Sequence, residues 1–202
     1  MRCVPIPVAE LREYAIWGGV PRYWELRRDY PDKETAIRKV LLDPQGPLIE
    51  EPQRLLRDDM RDTVQASTLL TIIGNGANKL SEIATRAGKD SSTISEPLSK
   101  LRELGYVSRE VPFGESPKKS KKGIYHINDS LLRFHYQFIV PYRSILELGR
   151  MDMVMQVVLA QLPQFIGQCW ELLRPVWLKL RNRKGRSSWE LLGFQPVAII
   201  QF

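Results

Sequence analysis

The sequence predicts a mainly α fold with a small two-stranded β element, and three observations carry that prediction. Residues 62–105 hold three short segments with apolar residues at helical spacing, the first closed by Gly74-Asn75-Gly76 and the others by Gly88 and Gly105. Residues 106–127 hold two segments that alternate apolar and polar residues around a Gly-, Pro- and Ser-rich stretch. The flanking residues carry further helical patterns.

The first helix is expected over Asp62–Ile73, with Val64, Leu69, Leu70 and Ile73 on its apolar face. Gly74-Asn75-Gly76 ends it, because Gly and Asn tolerate the positive φ that follows a helix C-terminus. A second helix follows from Lys79, with Leu80, Ile83, Ala84 and Ala87 on one face and Gly88 at its exit. The third runs from Lys89 to Gly105, with Ile94, Leu98, Leu101 and Leu104 as its apolar stripe. Asp90 to Thr93 supplies four residues able to cap it. Thr93 and Glu96 have the spacing of a capping box, which would put Pro97 at the fourth helical position, where a proline costs little. Ser92, Thr93, Ser95, Ser99 and Lys100 lie on the side away from the apolar stripe.

Tyr106–Val111 and Gly123–Ile127 alternate as half-buried strands should. Between them Pro112–Lys122 reads as a hairpin loop, in which Lys118, Lys119, Lys121 and Lys122 cluster. The order helix, helix, helix, strand, lysine-rich loop, strand resembles the winged helix-turn-helix family. Lys79–Val111 matches that family's "Leu-x-x-Ile-Ala" second helix, its Ser/Thr-rich third-helix start and its "Leu-x-x-Leu-Gly-Tyr-Val" entry to the wing. The fold expected is therefore a winged helix-turn-helix plus flanking helical segments. The resemblance implies double-stranded DNA as partner. Ser92, Thr93, Ser95 and Lys100 would meet the groove, and Lys118, Lys119, Lys121 and Lys122 the phosphates. No Arg, Asn or Gln stands on the first half of the third helix, so strong bidentate base reading is not expected. The same residues also suit a capped helix and a solvated loop, as in winged helices that serve protein contacts.

Charge agrees with a polyanion partner. The net charge is +7, and the excess sits in two blocks: Lys and Arg outnumber Asp and Glu by 10 to 6 over 79–127 and by 6 to 2 over 170–202. The 43% hydrophobic fraction is enough for a sizeable core. Apolar runs such as Met153–Leu162 are too short for a membrane span, and Met1–Glu10 lacks a signal-peptide core. Cys3 and Cys169 stand far apart without metal-ligand spacing, which favours reduced thiols and a cytoplasmic protein. His126 and His135 are too few and too isolated for a metal site, and no metal ligand set is expected.

In the N-terminal flank, Gly18-Gly19-Val20-Pro21 allows a sharp reversal, with Pro21 opening the next helix and Trp17, Tyr23 and Trp24 available as core. Tyr14–Trp24 resembles the lid motif of a prokaryotic, archaeal-type ATPase family of the AAA+ class. Leu42–Pro52 resembles the connector between that family's lid helices, and Asp129–Pro141 its segment after the wing. Asp129–Pro141 reads as a buried helix with Phe134, Tyr136 and Phe138 as core, ended or kinked at Pro141. Phe165–Glu171 resembles the opening helix of the family's restriction-nuclease-like C-terminal domain.

By that resemblance the units are a lid remnant at 1–60, the winged helix at 61–128, and a helical extension with a truncated C-terminal domain at 129–202. Arg22 would be the residue that senses nucleotide phosphate. Two departures limit the resemblance. The chain has no Gly-x-x-x-x-Gly-Lys-Ser/Thr loop, and after Glu171 the only further acid is Glu190. No catalytic residue is expected, and ATP and magnesium are implied only for the parent family. A fragment is the expectation, acting alone on DNA or completing the nucleotide site of a partner that carries the phosphate loop.

Overall fold

The computed structural model of the protein describes residues 8–112, 114, 120 and 122–181, with side chains from Arg12 to Trp170. The fold is mainly helical with one small antiparallel sheet.

The N-terminal part is a chain of short helices. Helix α1 (Val8–Trp17) ends at Gly18, whose φ of +67° turns the chain back. A Cβ there would lie 3.2 Å from Asp129 Oδ2, so the corner needs a residue without one. Pro21 then opens α2 (Pro21–Arg28) at a position where its missing N–H costs nothing. The two helices are clasped by Arg27, whose Nε and Nη2 each donate to Glu13 at 3.0 Å. Trp24 Nε1 donates to the Gly18 carbonyl at 2.9 Å. Helix α3 (Lys33–Ala36) is capped by Asp32 and runs on into a π-turn over Ile37–Leu42. The wider turn lets Ile37, Leu41 and Leu42 all face inward. Helix α4 (Glu51–Asp59) leads into the central unit.

Helix α5 (Thr63–Gly74) starts on an Asp62 cap, whose side chain accepts from the Gln65 N–H at 2.9 Å. Ala66, Leu69, Leu70 and Ile73 form its buried face. Val64, expected on that face, is instead 76% exposed, because at the helical period it lies across the helix from Ala66, Leu70 and Ile73. Helices α6 (Leu80–Ala87) and α7 (Ser91–Glu103) pack on α5 and on each other. Strands β1 (Val107–Glu110) and β2 (Ile124–Ile127) pair antiparallel, Val107 opposite Ile127 and Glu110 opposite Ile124. Lys79 adds a single bridge to Ile124, and the Tyr125 N–H donates to the Asn78 carbonyl at 2.7 Å. The chain just before α6 thus lies beside the hairpin, and the order of elements here is three helices followed by a two-stranded hairpin.

After β2, Asp129 caps α8 (Ser130–Phe134) by accepting from the Leu132 N–H at 2.9 Å. The helix widens into a π-turn at His135–Ile139 and tightens to a 3-10 turn at Val140–Tyr142 around Pro141. Helix α9 (Arg143–Glu147) follows, then α10 (Met151–Arg181). Phe165–Glu171, expected to open a helix, lies in the middle of α10, which runs on from Met151 through Pro163 and Gly167.

Two apolar cores result. One joins α1, the α3 π-turn and α10 around Phe134, Phe138 and Phe165, whose rings meet at 4.9–5.8 Å between centroids. The sequence segments 15–49 and 131–169 therefore share a core. The other lies inside the central unit and also takes in Leu132 and Tyr136. The helical run 130–142 feeds both: Leu131, Phe134 and Phe138 face one core, and Leu132 and Tyr136 the other.

Candidate nucleic-acid interface

The turn between α6 and α7 is built by backbone bonds. Gly88 takes φ +62° after the last residue of α6, and its N–H donates to the Thr85 carbonyl at 3.2 Å. The Lys89 N–H donates to the Ala84 carbonyl at 3.1 Å. Together these close a Schellman motif that satisfies the last carbonyls of α6 and throws the chain directly into α7.

Asp90, in extended conformation, is the N-cap of α7, and its carbonyl accepts from Thr93 and Ile94 at 3.0 and 3.3 Å. The helix therefore begins at Ser91, and Thr93 is inside it. The expected Thr93–Glu96 capping box is not formed, because Thr93 is already the third helical residue. Pro97 correspondingly stands seventh in the helix, not fourth. It has no N–H to offer the Thr93 carbonyl.

Ile94, Leu98 and Leu101 are buried against α5 and α6. Leu104, the expected fourth member, is the C-cap and is exposed. On the opposite side Ser92, Thr93, Ser95, Glu96 and Lys100 all face solvent. Ser95 Oγ donates to the Ser91 carbonyl at 2.6 Å, which leaves its oxygen as acceptor only. Lys100 Nζ lies 3.8 Å from Glu103, an exposed contact worth little in water. The structure thus places Ser92, Thr93, Ser95 and Lys100 along one exposed face. It also adds Glu96 to that face, a residue that the capping-box pattern assigns to the helix end. A shallow depression lined by Ala84, Thr85, Gly88, Lys89, Asp90 and Thr93 lies beside the helix start.

Of the wing lysines, Lys122 is exposed next to β2, and its N–H donates to Ser120 Oγ at 3.1 Å. Lys118, Lys119 and Lys121 lie outside the described residues. Arg109 carries no signal in the sequence beyond the polar half of a strand alternation. In the structure it lies across the base of the hairpin, its guanidinium 5.9 Å from the Tyr125 ring centroid and donating to the Ser120 carbonyl.

The hairpin is anchored from below. Tyr106 Oη donates to Asp59 Oδ2 at 2.5 Å, which ties the end of α4 to the entry of β1. Burial, then the bond to Asp59, push the Tyr106 hydroxyl well above its ordinary range. Burial lowers His126 on β2, so the imidazole adds no cation near neutrality.

Arg22 stands elsewhere, exposed on α2 and paired with Glu25 at 3.3 Å. A second polar group sits behind the Gly18 corner. There Arg133 is buried with its guanidinium 5.1 Å from the Phe165 ring centroid. Burial raises the Asp129 carboxyl and the Tyr14 hydroxyl next to it. Among the described residues no three His, Cys, Asp or Glu side chains meet as a metal site. No described helix is long and apolar enough to cross a membrane. Cys169 is a buried free thiol, and Cys3 lies outside the described residues.

No family model and no solved structure matches this chain. A curated relative from Methanocaldococcus jannaschii, described as "Uncharacterized protein MJECL04", is 27% identical over 209 residues. That alignment covers 95% of this chain and 46% of the relative, so the chain spans about half the length of the protein it resembles.

Proposed function

We propose that the central unit binds double-stranded DNA, with the outer face of α7 in the major groove and the wing on the flanking backbone. The observation that carries this reading is the division of α7. Ile94, Leu98 and Leu101 are spent on the core, while Ser92, Thr93, Ser95 and Lys100 line the exposed side. Small hydroxyls let a helix approach base edges and phosphates closely. Lys122 and its neighbours Lys118, Lys119 and Lys121 would neutralise phosphates and release counterions.

Glu96 shapes the selectivity. A carboxylate on the groove face repels phosphate and accepts a bond only from a donor such as cytosine N4. The complex would therefore take its affinity mainly from the wing. The binding unit belongs to a cytoplasmic protein in this reading, consistent with the unpaired Cys169 thiol.

The test is fluorescence anisotropy with short duplex DNA across a salt series. The wild type is compared with a variant in which Lys118, Lys119, Lys121 and Lys122 are all Ala. Log K should fall linearly with log salt, and the variant's slope should be shallower by about 0.9 for each phosphate that the lysines no longer neutralise. Folded wild type that shows no binding at low salt sinks the proposal. Binding with an unchanged slope in the variant removes the wing from it. As a companion, Glu96→Gln should tighten non-specific binding.

A second reading is favoured by one observation, the greater length of the relative. The chain would work as the lid and winged helix of a larger ATP-dependent assembly, with Arg22 turned toward a nucleotide held by a partner's phosphate loop. Its signature would be an Arg22→Ala variant that keeps DNA binding and loses the partner's ATPase stimulation.

A further inference from the structure

Gly123 is buried immediately before β2, and its φ lies outside the left-handed region, so the backbone there does not require glycine. The Arg109 side chain does. A Cβ at Gly123 would lie 2.2 Å from Arg109 Nε, 2.4 Å from Cζ and 2.5 Å from Nη2, so the guanidinium rests on bare backbone. Arg109 stands opposite Tyr125 in the hairpin register and leans along β2 to reach that seat. Its guanidinium is 5.9 Å from the Tyr125 ring centroid, and Nη2 donates to the Ser120 carbonyl.

One planar group thus grips the chain on both sides of Lys122. A bare backbone, an aromatic ring and a carbonyl suit a guanidinium, whose flat face stacks while its edge donates. A lysine ammonium, a point charge on a flexible stem, could not do both. Between the two grips the Lys122 N–H donates to Ser120 Oγ at 3.1 Å, and the residue is exposed. Lys122 is therefore held in place before anything binds. A cation on an ordered backbone loses less freedom on meeting a phosphate than one on a free loop.

We propose that Arg109, seated on Gly123, is a positioning residue that presents Lys122 to the DNA backbone. The presentation rests on the DNA reading above, whereas the seat is a property of the free protein, so the two fail separately.

The experiment compares the full chain as wild type, Gly123→Ala, Arg109→Ala and the double variant. Amide hydrogen exchange is followed over residues 122–124 in the free protein, and fluorescence anisotropy follows binding to short duplex DNA across a salt series. Gly123→Ala should expel the guanidinium, speed exchange over 122–124 and weaken DNA binding roughly two- to ten-fold. Its salt slope and urea midpoint should stay close to those of the wild type, because no charge and no core contact is lost. In the Arg109→Ala background, Gly123→Ala should change neither exchange nor affinity further. Wild-type exchange in Gly123→Ala overturns the seat. Faster exchange with unchanged DNA affinity overturns the presentation, as does folded wild type that binds no DNA. An equal loss from Gly123→Ala with and without Arg109 overturns the coupling between the two residues.

Discussion

Gly88 is the residue on which the α6–α7 turn depends. Its φ of +62° lies in the region that an L-residue enters at roughly 1–2 kcal/mol, although a side chain there would meet nothing within 4 Å. Gly88→Ala should therefore lower stability by about that amount in urea unfolding, while Gly88→Asn should lose less. A clearly larger loss for Ala would mean that the turn is closed in by neighbours and not open to solvent.

His135 sets a pH dependence. It is 0% exposed, and neither ring nitrogen has a hydrogen-bond partner in the fold. Burial, reinforced by the Arg143 charge, lowers its pKa from 6.5 to about 3. The folded protein holds the imidazole neutral, whereas the unfolded chain takes up a proton below pH 6.5. Stability should thus fall as the pH drops from about 6.5 toward 3, on the order of 1 kcal/mol per pH unit, and level off below. Urea midpoints at about pH 7 and about pH 5 should differ for the wild type and differ much less for His135→Leu. Equal slopes in the two proteins would assign the loss to other groups.

At the scale of elements, α7 carries an internal strain of composition. Pro97 stands in the helix interior, where proline costs about 3 kcal/mol relative to alanine. Pro97→Ala restores an N–H toward the Thr93 carbonyl and should raise the unfolding midpoint. The gain should be visible in thermal melts followed at helical wavelengths. A lower midpoint would mean that the Pro97 ring packs against its neighbours more tightly than its half-burial suggests. Helix α8 and its π-turn show a different economy. One helical run carries Phe134 and Phe138 toward one core and Leu132 and Tyr136 toward the other, so neither core is complete without it.

For the whole molecule, that shared run couples the two cores. Leu70→Ala in the central core and Phe165→Ala in the flanking core each remove a fully buried side chain, at roughly 2–5 kcal/mol apiece. Because 130–142 belongs to both cores, each variant should shift one common transition in calorimetry. Two separable transitions, each sensitive to one variant, would show the units to be independent. The Glu13–Arg27 clasp and the Arg38–Asp152 and Glu50–Arg143 pairs add links at the periphery of the flanking core.

Much of this architecture is legible in the residues because it is local. Helical spacing places α5, α6 and α7 to within a residue or two, Gly88 marks its turn, Pro21 opens its helix, and alternation finds both strands. The hydroxyl and lysine side chains on the outside of α7 follow from the same periodicity, since a helix that buries Ile94, Leu98 and Leu101 must expose the residues opposite. The tertiary structure decides what periodicity cannot carry. Asp90, not Thr93, begins α7, because two backbone bonds to one carbonyl outweigh a side-chain pattern. That single turn of difference moves Pro97 into the helix interior. Arg109 gains its place only when β1 is laid beside β2. Residues 15–49 and 131–169 share a core although no local signal links them, since contacts between distant segments leave no period in the chain. Burial of His135 is likewise a property of the packed whole: the sequence shows a histidine, and only its neighbours in space determine that it stays neutral.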